Sequence, residues 1–430
     1  MRKLAKFSLI FLSLAALLLV LAVACEDEEE EEVTPTGSPA ATVTESPTPT
    51  GVSTGITDEK IILGSHFAQS GTYGAAFAPV LAGLEAYFRY VNAEEGGVCG
   101  REIDFRAEDD QYDPARAVEA VRKLVEEDEV FAIVAGLGTA AHSAVWEDLN
   151  EKGIPDLWIM TGAHKWAADV EAHPWSVAIL PDYFVAGSIT GKYISENLPG
   201  KNVGVLYQND DFGQDHVDGL KHGLDPTKNE VVSEQSYEST AVDIRSQVNN
   251  LKNAGAEVVL GACIPGHCAQ LVKTKQQLDW DVQVFMSYVN SDAAMFAYAP
   301  PTAMEGVITL QANKMYDWTD DPAVAEHHRI MSEYGDLPPG NYTIVGQVAG
   351  ELTIDALSRT CDNLTRQGLL DAVHDFENYQ SELSLPGVTL DLSPTDHLGF
   401  EAMRMLQATL VDGKGKWEYF GDVISFEQEE

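Results

Sequence analysis

The chain has 430 residues, 45% of them hydrophobic, enough to bury a large core in two or three lobes. Lysine and arginine number 27 against 68 aspartates and glutamates, a net charge of −41. Nucleic-acid binding relies on clustered Lys and Arg against phosphates, so this balance argues against that class and reads as a solvated acidic surface.

Arg2, Lys3 and Lys6 precede an apolar run from Phe7 to Ala24, which ends in small residues before Cys25. A charged start, an apolar middle and a small-residue exit make a secretory signal, not part of a fold. Cys25 directly after that exit resembles a bacterial lipoprotein signal. The resemblance implies removal of residues 1–24, lipidation of Cys25, and a body tethered outside the membrane. The usual Leu three places before the cysteine is Ala22 here, with Leu21 one place further back. The competing reading is an uncleaved membrane anchor.

Glu26 to Glu32 is an unbroken acidic run, and the stretch from Val33 to Gly55 is rich in Thr, Pro, Ser and Gly. Like charges repel and Pro stiffens, so residues 25–56 read as an extended, disordered tether. The tether contains Gly51-Val-Ser53-Thr-Gly55, formally the hydrolase elbow. That motif needs a strand before it and a helix after it, and the tether supplies neither.

From Lys60 the chain alternates strand and helix patterns. Ile61–Phe67 reads as a strand opening into a polar turn, Gln69 to Gly74. A helix follows from Pro79 to Val91, with Leu81, Leu84, Tyr87, Phe88 and Val91 at helical spacing. Ile103–Ala107 is the next strand, and Asp113-Pro114 starts the next helix as cap and first-turn proline.

The apolar run Val130–Ala135 reads as a strand buried on both faces. Gly136 and Gly138 then let the backbone turn sharply, and Thr139 stands where a helix cap belongs, before a helix running through Leu149. Free N–H groups at such a helix start make a site for an anion such as a carboxylate. Pro155–Met160 is a further strand, ending in Thr161-Gly162-Ala163. A regular β-α-β-α series implies a parallel sheet wrapped by helices, with ligands beyond the carboxyl ends of the strands.

The pattern restarts at a helix from Tyr183 to Asn197 and a strand from Asn202 to Tyr207. It continues through strands at 230–234, 257–262 and 282–286, with helices at 242–253 and 266–278. Strand 306–310 and helices 322–334 and 344–358 follow. A closing hairpin has Asp412-Gly413 at its turn.

The segments IILGSHFAQSGTYG, REIDFRAEDDQYDPARAVEAV, VFAIVAGLGTAA and YQNDDFGQD, in this order, resemble the branched-chain amino-acid-binding family of solute receptors for ABC transporters. The resemblance runs from Ile56 to about Phe420. It implies an α/β fold of two Rossmann-like lobes with parallel sheets, joined by a three-strand hinge, the type I periplasmic-binding-protein fold. By analogy the first lobe is 57–179 with 308–378 and the second is 180–307 with 379–425, closing as a hinge on a ligand.

Carried over by residue, Thr139 and the amides around Gly138 and Ala140 would hold a ligand carboxylate. Thr161, Gly162 and Ala163 would complete that half, and Ser70 and Tyr73 would wall the pocket. From the second lobe, Phe212 stands where the family often has Tyr, and Tyr288 near where an acid often meets the ligand's ammonium. Ser287-Tyr288-Val289 has no acid, so a non-amino carboxylate or amide fits at least as well as an amino acid. Asp210, Asp211 or Asp292 would be the substitutes.

Besides Cys25 there are four cysteines, an even number for an oxidising compartment. Cys263 and Cys268 are spaced to close a small loop, with a metal site including His267 as the alternative. Cys99 and Cys361 fall in one lobe on the family layout and pair on that basis. Gly136-x-Gly138-x-x-Ala141 also fits the dinucleotide fingerprint, but it lies on the third strand of its series, and no cofactor is assigned. The implied function is a lipid-anchored, extracytoplasmic receptor that captures a small organic ligand for an ABC permease and makes or breaks no bond. A sensor of the same fold and, less favoured, a secreted enzyme are the alternatives.

Overall fold

The computed structural model describes residues 53–425. The signal sequence, Cys25 and most of the tether lie outside the described residues. The tether ends before residue 56: Ile56 is buried and bridges to Ile61, because an apolar side chain next to a sheet edge gains more from packing than from solvation.

Two sheets organise the chain. The first holds β1 (Lys60–Phe67), β2 (Glu102–Asp109), β3 (Ala132–Val134), β4 (Asp156–Ile159) and β5 (Ser176–Ala178), all parallel, in the order β2-β1-β3-β4-β5. The second holds β6 (Asn202–Gln208), β7 (Glu230–Tyr237), β8 (Val258–Ala262), β9 (Gln283–Met286), β10 (Ile308–Gln311), β11 (Ala402–Val411) and β12 (Lys414–Ser425). Its order is β12-β11-β10-β9-β8-β6-β7, parallel from β7 to β10 and antiparallel across β10, β11 and β12. β3 is wholly buried, as its run of apolar residues requires of a central parallel strand.

The chain passes between the sheets three times, after β5, after β10 and before β11. Helices Pro322–Tyr334 and Asn341–Arg359 return to pack on helix Gly71–Tyr90 beside the first sheet. Residues 390–400 stay with that sheet too: the His397 carbonyl accepts the Ala178 N–H, and Phe400 N–H donates to the Ile179 carbonyl. β10, by contrast, pairs with β9 and β11. A division that follows the sheets therefore falls after Gln311 and near Phe400, not at 308 and 378, because strand pairing decides which lobe a segment joins.

Several elements differ from the sequence expectation. Helix Gly71–Tyr90 begins eight residues early and carries Pro79 inside it, so the expected polar turn is its first turns. β3 stops at Val134 because Ala135 has φ 58°, a left-handed conformation that ends a strand. The single helix expected after Thr139 is two, Thr139–His142 and Trp146–Glu151. β5, three residues long, gave too short a pattern to be seen.

Both cysteine pairs are bonded. Cys99–Cys361 joins residues 262 apart and ties the returning helices to the first lobe. Cys263–Cys268 closes a short loop, so its sulfurs are not free as thiolate metal ligands, and His267 donates its Nε2–H to the Ala241 carbonyl at 2.7 Å. No helix among the described residues is long and apolar enough to cross a membrane.

Candidate functional site

A cavity of about 90 Å³ lies where the two lobes and the crossing segments meet. The first lobe contributes Phe77, Tyr112, Leu137, Gly138, Thr139 and Met160. The second contributes Phe212, Ile264, Tyr288, Val289 and Ser291. The crossings contribute Ile179 to Pro181, Gln311 to Asn313, Phe400 and Met403, and helix Asn341–Arg359 adds Tyr342, Val345 and Val348. The wall is largely rings and aliphatic chains, as in most small-molecule sites, with a few polar groups to orient a guest.

The turn Gly136 to Thr139 reaches this cavity. Gly138 has φ 99°, and a Cβ there would lie 2.5 Å from the Tyr112 ring, so only glycine fits. The helix cap is Gly138, not Thr139, which is the first helical residue; its buried hydroxyl pairs with that of Thr161. Because Thr139–His142 is a single turn, a helix dipole adds little. What the turn offers an anion is N–H groups and the threonine hydroxyls.

Beneath the turn runs a fully buried polar chain. Asp110 Oδ2 meets His66 Nδ1 at 2.7 Å, His66 Nε2 meets His142 Nδ1 at 2.9 Å, and His142 Nε2 meets Asp156 Oδ2 at 2.8 Å. Three hydrogen bonds among these four groups need three protons. The two rings and two carboxyl groups share those three protons. Burial pushes His142 below the ordinary histidine value, with the Asp156 carboxylate opposing. Asp110 also accepts the Tyr112 N–H, so the chain fixes a cavity ring as well as the turn.

The other half of the cavity is different. Phe212, Tyr183 and Tyr288 pack ring against ring, with centroids 4.8 Å (Tyr183–Phe212) and 5.4 Å (Tyr183–Tyr288) apart. Tyr288 donates its hydroxyl to the Pro181 carbonyl at 2.6 Å. Burial raises the Tyr183 phenol to about 12, against the pull of the Thr161 hydroxyl, the Gly162 N–H and the Tyr288 hydroxyl beside it. Gly162 sits tightly here: a Cβ would come 2.1 Å from the Pro181 carbonyl oxygen.

Of the residues selected from sequence, Gly138, Thr139, Phe212 and Tyr288 line the cavity. Thr161 and Gly162 stand directly behind it, against Thr139, Tyr183 and Tyr288. Ala163 is buried and Ala140 half-buried, and neither lines it. Ser70 is exposed and bonded to Asp109, so it shapes the loop rather than the wall. Tyr73 packs on Tyr112 and donates to the Ser239 carbonyl of the other lobe, closing the cleft rim.

None of the three candidate acids faces the cavity. Asp211 pairs with Lys165 across the cleft, and Asp210 caps its helix and binds Gln208. Asp292 accepts the Tyr342 and Ala294 N–H groups. Sequence reading missed Phe77, Tyr112, Tyr183, Gln311, Asn313 and Tyr342. Tyr112 alone had a signal, its place between Asp110 and the Asp113 cap.

The model for the family described as "Periplasmic binding protein" matches residues 60–416, and the chain belongs to that family. A protein of Pseudomonas aeruginosa called an amino acid binding protein is 24% identical over 286 residues, covering 66% of this chain and 73% of its own. Among solved structures, a branched-chain amino acid ABC transporter protein from Thermus thermophilus with bound valine superposes with a TM-score of 0.74 at 20% identity, covering 85% of this chain and 98% of that one. A fatty acid ABC transporter substrate-binding protein from Thermomonospora curvata gives 0.75 at 22%, covering 88% and 95%. The resemblance drawn from the sequence thus holds for family and for the type I two-lobed fold.

Proposed function

We propose that this protein is the extracytoplasmic substrate-binding component of an ABC importer, held to the membrane through a lipid on Cys25. It captures a small organic carboxylate or amide between its lobes, closes, and presents it to permease subunits without chemistry. The observation that carries this is the cavity at the junction of both lobes and all three crossings, with Gly138 and Thr139 in its wall. A guest there touches both lobes, which is the condition for a ligand to shift the open–closed balance. The absence of a carboxylate among the cavity-lining residues favours a ligand without an ammonium group, and the ring-rich wall favours an apolar body.

A thermal-shift screen of residues 55–430 against amino acids, aromatic acids, short aliphatic carboxylates and amides tests this. A ligand raises the melting temperature with the logarithm of its concentration over its dissociation constant. Shifts with non-amino carboxylates or amides are expected. Shifts confined to leucine, isoleucine and valine overturn the preference, and no shift with any class overturns the reading.

A further inference from the structure

The cavity has a second polar place, at the crossing after β10. Gln311 donates through Nε2 to Ser291 Oγ at 2.8 Å, while its Oε1 accepts the Ala312 and Asn313 N–H groups. The Asn313 backbone carbonyl accepts the Tyr419 hydroxyl, and its Oδ1 accepts Ser384 Oγ at 3.5 Å. These bonds fix Asn313, which is 6% exposed and lines the cavity, yet its Nδ2 has no hydrogen-bond partner among the described residues. The Ser291 hydroxyl, used as acceptor by Gln311, keeps its own proton to donate. Along the wall, three rings stand between this place and Gly138: Tyr112 beside the glycine, then Phe77 at 6.2 Å, then Tyr342 at 6.4 Å from Phe77.

We infer that Asn313 and Ser291 form a second recognition pole, which selects ligands bearing an uncharged oxygen, hydroxyl or carbonyl, at the end remote from the carboxylate. This rests on the carboxylate reading above. Two neutral donors satisfy one hydroxyl or carbonyl oxygen, and leaving them unpaired against a hydrocarbon is costly. They do not suffice for a second buried carboxylate, which needs more partners or a cation, and the cavity wall has no cation. A site built around buried donors rejects the analogue that lacks the matching oxygen more strongly than an apolar site rejects an extra methylene.

The test is calorimetric titration of two matched pairs, 3-phenylpropanoate with 3-(4-hydroxyphenyl)propanoate, and hexanoate with 6-hydroxyhexanoate. In at least one pair the hydroxylated acid should bind tenfold or more tightly. Asn313→Leu should erase that preference, the ratio of the two affinities falling to about one, with an unfolding midpoint measured separately to report that the variant is folded. Ser291→Ala, a smaller change, should reduce the preference in the same direction and serves if the leucine variant does not fold. Equal binding within both pairs, or a preference that survives both substitutions, overturns the second pole and leaves the carboxylate reading standing. Binding of none of the four acids overturns both.

Discussion

The two halves of the cavity are held in opposite ways. Under the Gly136–Thr139 turn lies a string of buried charges and rings joined by short hydrogen bonds, Asp110, His66, His142 and Asp156. Behind Phe212 and Tyr288 lies a stack of rings with few polar bonds. Hydrogen-bonded networks have one good geometry, so they fix backbone donors at set positions. Ring stacks resist loss of volume more than loss of a hydroxyl. The first half is thereby suited to orienting a common end group, and the second to grading the shape of the body.

The sharpest break of this contrast is His66→Leu, which strands the Asp110 carboxylate at full burial. Removing one partner of a buried pair costs about 3–5 kcal/mol, so the urea midpoint should fall steeply. An unchanged midpoint would mean that the chain of bonds is not charged. Phe212→Ala should cost about 3 kcal/mol, the lower end for a buried ring because it already borders open space. Thr139→Ala loses the buried hydroxyl bond to Thr161, so it should cost about 1 kcal/mol of stability and weaken ligand binding by roughly 1–3 kcal/mol, measured by calorimetry with the best ligand of the screen. Tyr288→Phe keeps the ring and loses the hydroxyl with its bond to Pro181 and its contact with the Tyr183 phenol, so about 1 kcal/mol of stability and little affinity should go. Equal affinity losses for Thr139→Ala and Tyr288→Phe would erase the contrast.

The smallest effect concerns pH. Burial, with repulsion from Asp182 and Asp211, raises the Asp215 carboxyl to about 7, although the His164 N–H pulls the other way across the cleft. A folded-state value above the unfolded one means the folded protein holds the extra proton. That contribution is complete below about pH 4 and is lost as pH rises through about 7. Asp215→Asn keeps an acceptor for His164 and should flatten the melting-temperature profile between pH 4 and 7. His216, pushed down to about 4 by burial, contributes in the opposite sense: its part is present above about 6.5 and is lost as pH falls through about 4.

Much of the first half was legible because its signals are local. Asp113 before Pro114 names a helix cap, and Gly138 before Thr139 names a tight turn; both stand where the sequence placed them. The partners of the histidines were not legible. His66 and His142 are 76 residues apart in the chain and each looks isolated. The walls supplied by Tyr183, Tyr342 and Asn313 were hidden for the same reason, since each belongs to an ordinary helix or crossing until the lobes come together. The candidate acids were misplaced in the other direction. Asp210 and Asp292 look available in sequence and are consumed by N–H groups of helix ends.

The sequence by itself determined the alternation of strands and helices, the turn that carries Gly138 and Thr139, and the family to which the chain belongs, because hydrophobic period, turn chemistry and motif order are properties of neighbouring residues. Only the tertiary structure decided which lobe β10 joins, which acids are spent on helix ends, and which side chains meet around the cavity. Those outcomes depend on pairing and burial between segments hundreds of residues apart, where the cost of leaving a polar group unpaired or a ring unpacked selects one arrangement.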